Sequence, residues 1–184
     1  MLIIKDFSQS QLKITKSFVT QGALQKVENR LLIDSKWTPN DMLVRQLLLD
    51  QGIYYGPTAL YLWGLSGTFP YQVYMAFKTG YKLPLKQLGK WTKNVTVKQL
   101  SKEILNTDVE TLDVAETTQQ IKVYSRERTL VDLIRNHTEF DTNTINMAFK
   151  NYANSQDKKM WKLAAIAAKF NVANKIDERM SILL

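Results

Sequence analysis

The sequence has no cysteine and only one histidine among its 184 residues. The absence of cysteine excludes disulfides and thiolate metal sites, and with them the scaffold of a small disulfide-stapled secreted domain. The single histidine, His137, has no second imidazole with which to share a metal and no cysteine nucleophile to activate. Because His137 follows Asn136 at the end of an expected helix, we expect it to cap carbonyls or to face solvent.

Long apolar runs and nucleotide-binding loops are also missing. No segment approaches the ~18 apolar residues of a membrane span, and the N-terminal MLIIKDFSQSQ lacks the apolar region of a signal peptide. Neither G-x-x-x-x-G-K-[ST] nor G-x-G-x-x-G occurs. With 45% hydrophobic residues the chain can still bury a core. We therefore expect a soluble, cytoplasmic protein without catalytic residues, bound metal or cofactor.

Positive charge is concentrated in the first hundred residues. Residues 1–100 carry thirteen Lys/Arg and five Asp/Glu, whereas residues 101–184 carry twelve of each. A basic half beside a neutral half indicates a polyanionic partner, most often nucleic acid. The alternative is that the charge serves solubility alone.

The N-terminal pattern is typical of the end of a winged helix-turn-helix. Ser8 and Gln11 form an S-x-x-Q capping box, which predicts a helix that ends near Gly22. We expect the apolar face of this helix to consist of Leu12, Ile14, Phe18 and Val19. Residues 23–33 then form two short apolar runs about Glu28-Asn29, which predicts a β-hairpin. In a winged helix such a helix enters the major groove and such a hairpin touches the DNA backbone.

The remaining pattern predicts an α+β fold: a truncated winged helix-turn-helix, a small mixed or antiparallel sheet, and a helical C-terminal third. We place the domain boundary between residues 36 and 37, with the DNA-binding element before it. Further helices are predicted at residues 42–51, 58–63, 141–152, 157–170 and 174–184, and one that starts at Arg126 and ends near Asn136. Strands are predicted at residues 71–78, 95–98, 109–115 and 120–124, the last two forming a hairpin.

The stretch VYSRERTLVDLIR, residues 123–135, is interpreted as a strand-to-helix junction and not as an active site. Ser125 is a natural N-cap, and Glu127 lies in the first helical turn, where the helix dipole favours an acid. The charged side chains are expected to form local ion pairs, with Arg128 and Asp132 at i,i+4. The residues from Thr129 onward enter the core.

A second stretch, residues 78–98, contains six lysines and no acid: Lys78, Lys82, Lys86, Lys90, Lys93 and Lys98. Lysines spaced along a loop can follow phosphates, and Tyr81 and Trp91 within it can stack on bases or anchor the segment. The alternative is an ordinary solvated basic face.

Several blocks of the sequence resemble the AbiEi family of abortive-infection antitoxins, the antitoxin half of type IV toxin–antitoxin pairs. The blocks ALYLWGL with Pro70 (residues 59–65) and ERTLVDLIR (residues 127–135) match family motifs, and the similarity extends from about residue 12 to the end. The resemblance implies an N-terminal winged helix that binds inverted repeats in its own promoter. It also implies a C-terminal domain that counteracts a nucleotidyltransferase-type toxin without a stable complex.

The same resemblance assigns candidate DNA-binding residues. The recognition helix contributes Gln9, Lys13, Lys16, Ser17 and Thr20, and the wing contributes Lys26, Asn29 and Arg30. The six lysines of residues 78–98 complete the set on the separate ground of their spacing and the absence of acids among them. Two features depart from the family. MLIIKDF is too short for the two helices that precede the recognition helix there, and Trp63 replaces a family histidine.

Three functions follow from these observations. The first is an antitoxin that also represses its own operon. The second is a protein-interaction module that keeps the C-terminal antitoxin domain and no longer binds DNA. The third is an enzyme acting on nucleic acid through the carboxylates Asp108, Glu110 and Asp113.

Overall fold

The computed structural model describes residues 3–5, 8–28 and 30–183. The chain divides into two compact units. Unit 1 comprises residues 1–52, 82–93 and 111–121, and unit 2 comprises residues 53–81, 94–110 and 122–184. The sequence analysis predicted one domain before and one domain after a single boundary at residue 36. Each observed unit instead consists of three separate segments that alternate along the chain.

Unit 1 is built on a small antiparallel sheet. Its elements are β1 (Ile3–Lys5), α1 (Gln9–Thr20), β2 (Leu24–Val27), β3 (Leu31–Asp34) and α2 (Asp41–Leu49). The strand order is β1-β3-β2, with Leu24 opposite Asp34 and Ile3 opposite Ile33. The sequence analysis predicted the hairpin β2–β3 but not the strand β1. That strand pairs with β3 and so makes β3 the central strand.

The predicted capping box at the start of α1 is confirmed. Ser8 Oγ accepts from the backbone N–H of Gln11 at 3.2 Å, and Gln11 Oε1 accepts from the backbone N–H of Ser8 at 2.8 Å. The helix is followed by Gly22 at φ +74, a conformation that glycine adopts without strain. A winged helix-turn-helix at this position stays a prediction.

The prediction for the apolar face of α1 was wrong. Ile14 is 70% exposed and Phe18 is 49% exposed, whereas the polar Thr15 is buried. Thr15 is accommodated because its hydroxyl donates to the carbonyl of Gln11 at 2.8 Å. Val19 is only half-buried. The side chain of Leu12, the remaining member of the predicted face, lies outside the described part of the structure. The helix leaves two large apolar side chains, Ile14 and Phe18, in solvent.

Unit 2 is organised around a mixed sheet with helices at the C-terminal end of the chain. The further elements along the chain are β4 (Ile53–Tyr54), α3 (Gly56–Leu62), β5 (Val73–Lys78), α4 (Gly89–Thr92), β6 (Val95–Leu100), α5 (Lys102–Leu105), β7 (Val109–Asp113), β8 (Gln120–Tyr124), α6 (Arg126–Arg135), α7 (Thr142–Asn154), α8 (Met160–Lys169) and α9 (Ala173–Ser181). The sheet order is β6-β5-β4-β8-β7. The pair β4–β5 is antiparallel, whereas β5–β6 and β4–β8 are parallel.

The architecture confirms the α+β prediction, with a mixed sheet and a helical C-terminal third. The core of unit 2 joins Tyr124 of the sheet to Leu133, Phe149, Leu163 and other side chains of α6 to α9. The strand β8 has the predicted bounds, and the helix α6 begins at the predicted residue, Arg126. The helix α2 begins one residue earlier than predicted, with Asn40 as its N-cap and Pro39 outside it.

The junction between β8 and α6 is also as predicted, but its charges are more deeply buried. Ser125 caps the helix by accepting from the backbone N–H of Arg128 at 3.2 Å. Arg128 is fully buried, and its Nε donates to Asp132 Oδ2 at 2.9 Å. The expectation that all four charges pair locally was wrong for Arg126 and Glu127. Arg126 pairs with Asp157 at 3.4 Å, and Glu127 accepts from the hydroxyl of Tyr152 at 2.9 Å.

Candidate nucleic-acid interface

The candidate recognition residues of α1 share one exposed face. Gln9, Lys13, Lys16, Ser17 and Thr20 are all exposed. Their spacing of four, three, one and three residues follows the helical repeat, which aligns them along one side. The hydroxyl of Thr20 donates to the carbonyl of Lys16 at 2.9 Å, so in this conformation its hydrogen is used within the helix. The face offers two cations and several amide and hydroxyl groups, a combination suited to phosphates and base edges.

The three candidate residues of the hairpin differ from one another. Lys26 is exposed on β2, and Asn29 lies outside the described residues. Arg30 is held by the end of α2: its Nη1 donates to the carbonyl of Leu48 at 2.6 Å, and its Nη2 lies 2.5 Å from Asp50 Oδ2. A guanidinium held in this way stabilises unit 1. The guanidinium of Arg30 is therefore less available to bind a DNA phosphate.

Asp50 is the carboxylate that pairs with Arg30, and its pKa reflects the contact. Its burial raises the pKa of the carboxyl, but hydrogen bonds from Lys5 and Arg30 outweigh that effect and hold the pKa below its ordinary value. Asp50 also ends α2 with φ 64, a left-handed conformation that Asp and Asn tolerate. Asp50 therefore links β1, the hairpin and α2.

The lysine-rich stretch is divided between the two units. Lys82, Lys86, Lys90 and Lys93 belong to unit 1 and are exposed. Lys78 ends β5 in unit 2. Lys98, on β6 in unit 2, pairs with Glu139 at 3.2 Å and lies 5.7 Å from the centre of the Tyr55 ring. Residues 82–93 thus place four lysines in the same compact unit as α1 and the hairpin.

Trp91 anchors this segment within unit 1. It is 5% exposed, and its Nε1 donates to Glu28 Oε1 at 3.2 Å. Its carbonyl accepts from Arg45 Nε at 3.1 Å, and Lys90 Nζ lies 5.0 Å from the ring centre. The proposed stacking of Trp91 on a base is excluded in this conformation because the ring is buried. Of the two roles considered for this tryptophan, the structure supports the anchor.

A cleft opens beside the anchor. Its volume is about 390 Å³, and it is lined by β2 residues, by Pro39 and Asp41 and by the Lys90-Trp91 pair. Lys26 and Lys90 supply cations to this cleft, and Glu28 and Asp41 supply carboxylates. The mixed charge makes the cleft itself a poor phosphate site. The other candidate lysines of unit 1 are exposed and do not line the cleft: Lys13, Lys16, Lys82, Lys86 and Lys93.

Two contacts within this surface were not anticipated from the sequence. Arg45 of α2 fixes residues 82–93 by bonding the Trp91 carbonyl, and Tyr81 stacks on Phe77 with ring centres 4.3 Å apart. Tyr81 belongs to unit 2, not to the lysine segment. No local sequence signal marks either contact, since residue 45 pairs with residue 91 only in the folded chain.

Two of the three carboxylates considered for an enzyme, Glu110 and Asp113, contact other side chains. Glu110 Oε1 lies 2.5 Å from Lys162 Nζ, and Asp113 Oδ1 accepts from the side-chain amide of Gln120 at 2.7 Å. Within residues 3–5, 8–28 and 30–183, no three His, Asp or Glu side chains converge closely enough to hold a metal ion. The imidazole of His137 is exposed, and its Nδ1 lies 3.3 Å from the carbonyl of Ile134, which agrees with a role at the helix end.

No helix in the described part of the chain combines the length and the apolar character needed to cross a membrane.

Neither the known family models nor the curated proteins include a match to this sequence. Among solved structures, the crystal structure of the RV2827C protein from Mycobacterium tuberculosis is similar, with a TM-score of 0.58 and 12% identity. The match covers 98% of this chain and 72% of that one. At this identity the similarity concerns the fold alone.

Proposed function

We propose that this protein is a cytoplasmic antitoxin of the AbiEi type that also represses its own operon by binding inverted repeats in the promoter. The observation that carries the proposal is the composition of unit 1. The exposed face of α1 and the exposed residues of 82–93 together hold six lysines, and neither residues 8–27 nor residues 82–93 contain an acid. Such a surface attracts a phosphate backbone from a distance and binds it by releasing counterions.

The residues of this surface make two kinds of contact with DNA, to phosphates and to base edges. Lys13, Lys16 and the lysines of residues 82–93 neutralise phosphates, which sets the affinity and its salt dependence. Gln9 and Ser17 offer the amide and hydroxyl groups that distinguish base edges in the major groove. We leave Arg30 and Lys98 out of the interface because each already holds a carboxylate.

The first test is fluorescence anisotropy with the DNA upstream of the gene and a scrambled duplex, across a salt series. We expect preference for the native duplex and a slope of log K against log salt of about −0.9 per phosphate contact. Lys13→Gln and Lys90→Gln should each reduce the slope by about one contact. Lys150→Gln, an exposed lysine of α7 in unit 2, is the matched control and should leave the slope unchanged.

The antitoxin part of the proposal has its own test. Co-expression with the nucleotidyltransferase-type toxin encoded beside the gene should restore growth. The toxin and this protein should not remain together on gel filtration, since the AbiEi type acts without a stable complex. Loss of rescue together with absence of promoter binding would refute the whole proposal.

A second candidate is a protein-interaction module without DNA binding. The exposure of Ile14 and Phe18 favours it, because a recognition helix is usually held by apolar packing on its inner side. A helix displaced by an ångström loses its base contacts. Rescue of growth without preference for the native duplex would establish this second candidate. We propose no catalytic role and no cofactor for either.

A further inference from the structure

A cavity of about 540 Å³ lies among the C-terminal helices of unit 2. It is formed by the end of α6 and by side chains of α7 and α9, so it is separate from the proposed DNA surface. Small-molecule sites in proteins are typically ~300–1,000 Å³, largely apolar, and contain a few well-placed polar groups. The cavity has the size of such a site, and its lining has both kinds of group.

The apolar part of the lining combines buried and exposed side chains. Phe149 is fully buried, and Ile134 is 6% exposed, so both belong to the core of unit 2. Ile182, also in the lining, is 80% exposed. A large aliphatic side chain in solvent next to an apolar recess provides surface that a bound apolar group can cover.

The polar part of the lining is mainly cationic. Arg179 Nη1 donates to Asn146 Oδ1 at 2.5 Å, and its guanidinium lies 5.4 Å from the centre of the Phe149 ring. These two contacts hold the guanidinium at the cavity. Lys175 is exposed, and no carboxylate among residues 3–5, 8–28 and 30–183 lies within 4.0 Å of its ammonium. The lining contains one acid, Glu178, against these two cations.

We propose that this cavity binds a small organic anion with an apolar body, such as a medium-chain carboxylate. The anionic group pairs with the ammonium of Lys175 beside Arg179. The apolar body covers Ile182 and contacts the small exposed part of Ile134. Neither part is sufficient alone, because a single charge pair at a solvated mouth binds weakly and a short apolar chain has no fixed position without it.

The single histidine makes the site observable without assignment of the whole spectrum. His137 lines the cavity and is the only imidazole in the chain. Its Cε1–Hε1 signal in a proton–carbon NMR spectrum therefore reports occupancy directly. We would titrate octanoate, octanol and acetate separately and follow this signal. Octanoate has both the apolar chain and the carboxylate, octanol has the chain without the charge, and acetate has the charge without the chain.

Octanoate should shift the His137 signal in a saturable way, and octanol and acetate should bind at least tenfold more weakly. Lys175→Gln should weaken octanoate binding about tenfold, and Ile182→Ser should weaken it as well. Lys150→Gln, on α7 outside the lining, is the control and should have no effect. All three positions are exposed, so the variants should keep the native circular dichroism spectrum. Equal binding of octanol, or unchanged octanoate binding in Lys175→Gln, would overturn the proposal.

Discussion

The hydroxyl of Tyr152 donates to Glu127 Oε1 at 2.9 Å and accepts from the backbone N–H of Lys159 at 2.8 Å. One phenol thus joins the carboxylate of α6 to the start of α8. Glu127 is 2% exposed and also lies 3.7 Å from Lys162 Nζ. The acid that the sequence places in the first turn of α6 is therefore part of a buried polar network between helices.

Removal of this hydroxyl tests the network. Tyr152→Phe should lower the free energy of unfolding by about 1–3 kcal/mol, because Glu127 Oε1 and the backbone N–H of Lys159 each lose the hydrogen bond that the hydroxyl makes. Tyr71→Phe, at a side chain that is 88% exposed, should change it by less than ~0.5 kcal/mol. Urea denaturation followed by circular dichroism measures both. Equal effects would mean that the hydroxyl of Tyr152 contributes nothing beyond an exposed phenol.

A second prediction concerns the ion pair of Arg128 and Asp132. Arg128 is fully buried, and its guanidinium lies between the rings of Tyr124 at 4.7 Å and Phe170 at 4.0 Å. Asp132→Asn should destabilise the protein by about 3–5 kcal/mol, since it leaves a buried cation without its counterion.

The surface pair of unit 2 provides the comparison for this prediction. Asp157 is 70% exposed and pairs with Arg126 at 3.4 Å, so Asp157→Asn should cost no more than about 1 kcal/mol. Thermal unfolding of the two variants beside the native chain separates them. A loss for Asp132→Asn as small as that for Asp157→Asn would contradict the prediction.

A third prediction is a pH dependence centred on Asp50. Because the pKa of Asp50 is lowered in the folded state, its ionised form stabilises the protein above the unfolded-state pKa of ~3.9. That contribution is lost as the pH falls through the folded pKa. Asp50→Asn keeps a residue that tolerates the left-handed conformation, and it should cost at most about 1 kcal/mol at pH 7 because the pair is partly exposed.

The difference between the native chain and Asp50→Asn should shrink as the pH is lowered below ~4. In an Arg30→Met background the same substitution should have a smaller effect at pH 7, because one of the two cations is gone. Denaturation series at several pH values measure both quantities. A difference that does not vary with pH would assign the effect of Asp50 to something other than its charge.

A fourth prediction concerns alkaline pH. Burial raises the pKa of Tyr55, Tyr124 and Tyr152 above the ordinary value of about 10. A folded pKa that is raised stabilises the neutral form, so stability should be lost as the pH rises above ~10. The ultraviolet absorbance of tyrosinate should show these three side chains ionising later than tyrosine in the urea-unfolded chain. Coincident titration of native and unfolded protein would be the contrary result.

A fifth prediction tests the start of α1. Ser8→Ala removes the acceptor for the Gln11 backbone N–H and should cost about 1 kcal/mol. Ser17→Ala, at an exposed position in the same helix, should be neutral or slightly stabilising because alanine has the higher helix propensity. Amide hydrogen exchange of α1 in the two variants measures the local opening. Faster exchange in Ser17→Ala than in Ser8→Ala would contradict the capping role.

Local sequence signals predicted much of the fold, whereas nonlocal pairing lay beyond them. The capping box of Ser8 and Gln11 and the start of α6 at its N-cap Ser125 involve neighbours within four residues, and both are confirmed. The two-residue strand β4 was missed because it has no pattern of its own. It exists only through its partners Ala76 and Val123.

The candidate site shows the same limit. The resemblance assigned Gln9, Lys13, Lys16, Ser17 and Thr20 to the recognition helix, and all five are exposed on α1. Periodicity did not show that Ile14 and Phe18 would also remain exposed, because the burial of a helix face depends on whether another element covers it. Nor did the run of lysines reveal that Lys78 and Lys98 belong to a different unit from the lysines between them.

The interleaving of the two units bears on how the protein can be made and divided. Unit 1 needs residues 82–93 and 111–121 as well as the first 52, so it stays incomplete on the ribosome until about two thirds of the chain has been synthesised. Within unit 2, β4 likewise cannot pair with β8 until Val123, the partner of Tyr54, has been synthesised. A fragment cut at residue 52 would lack the segment anchored by Trp91. The N-terminal surface is therefore best studied in the full chain.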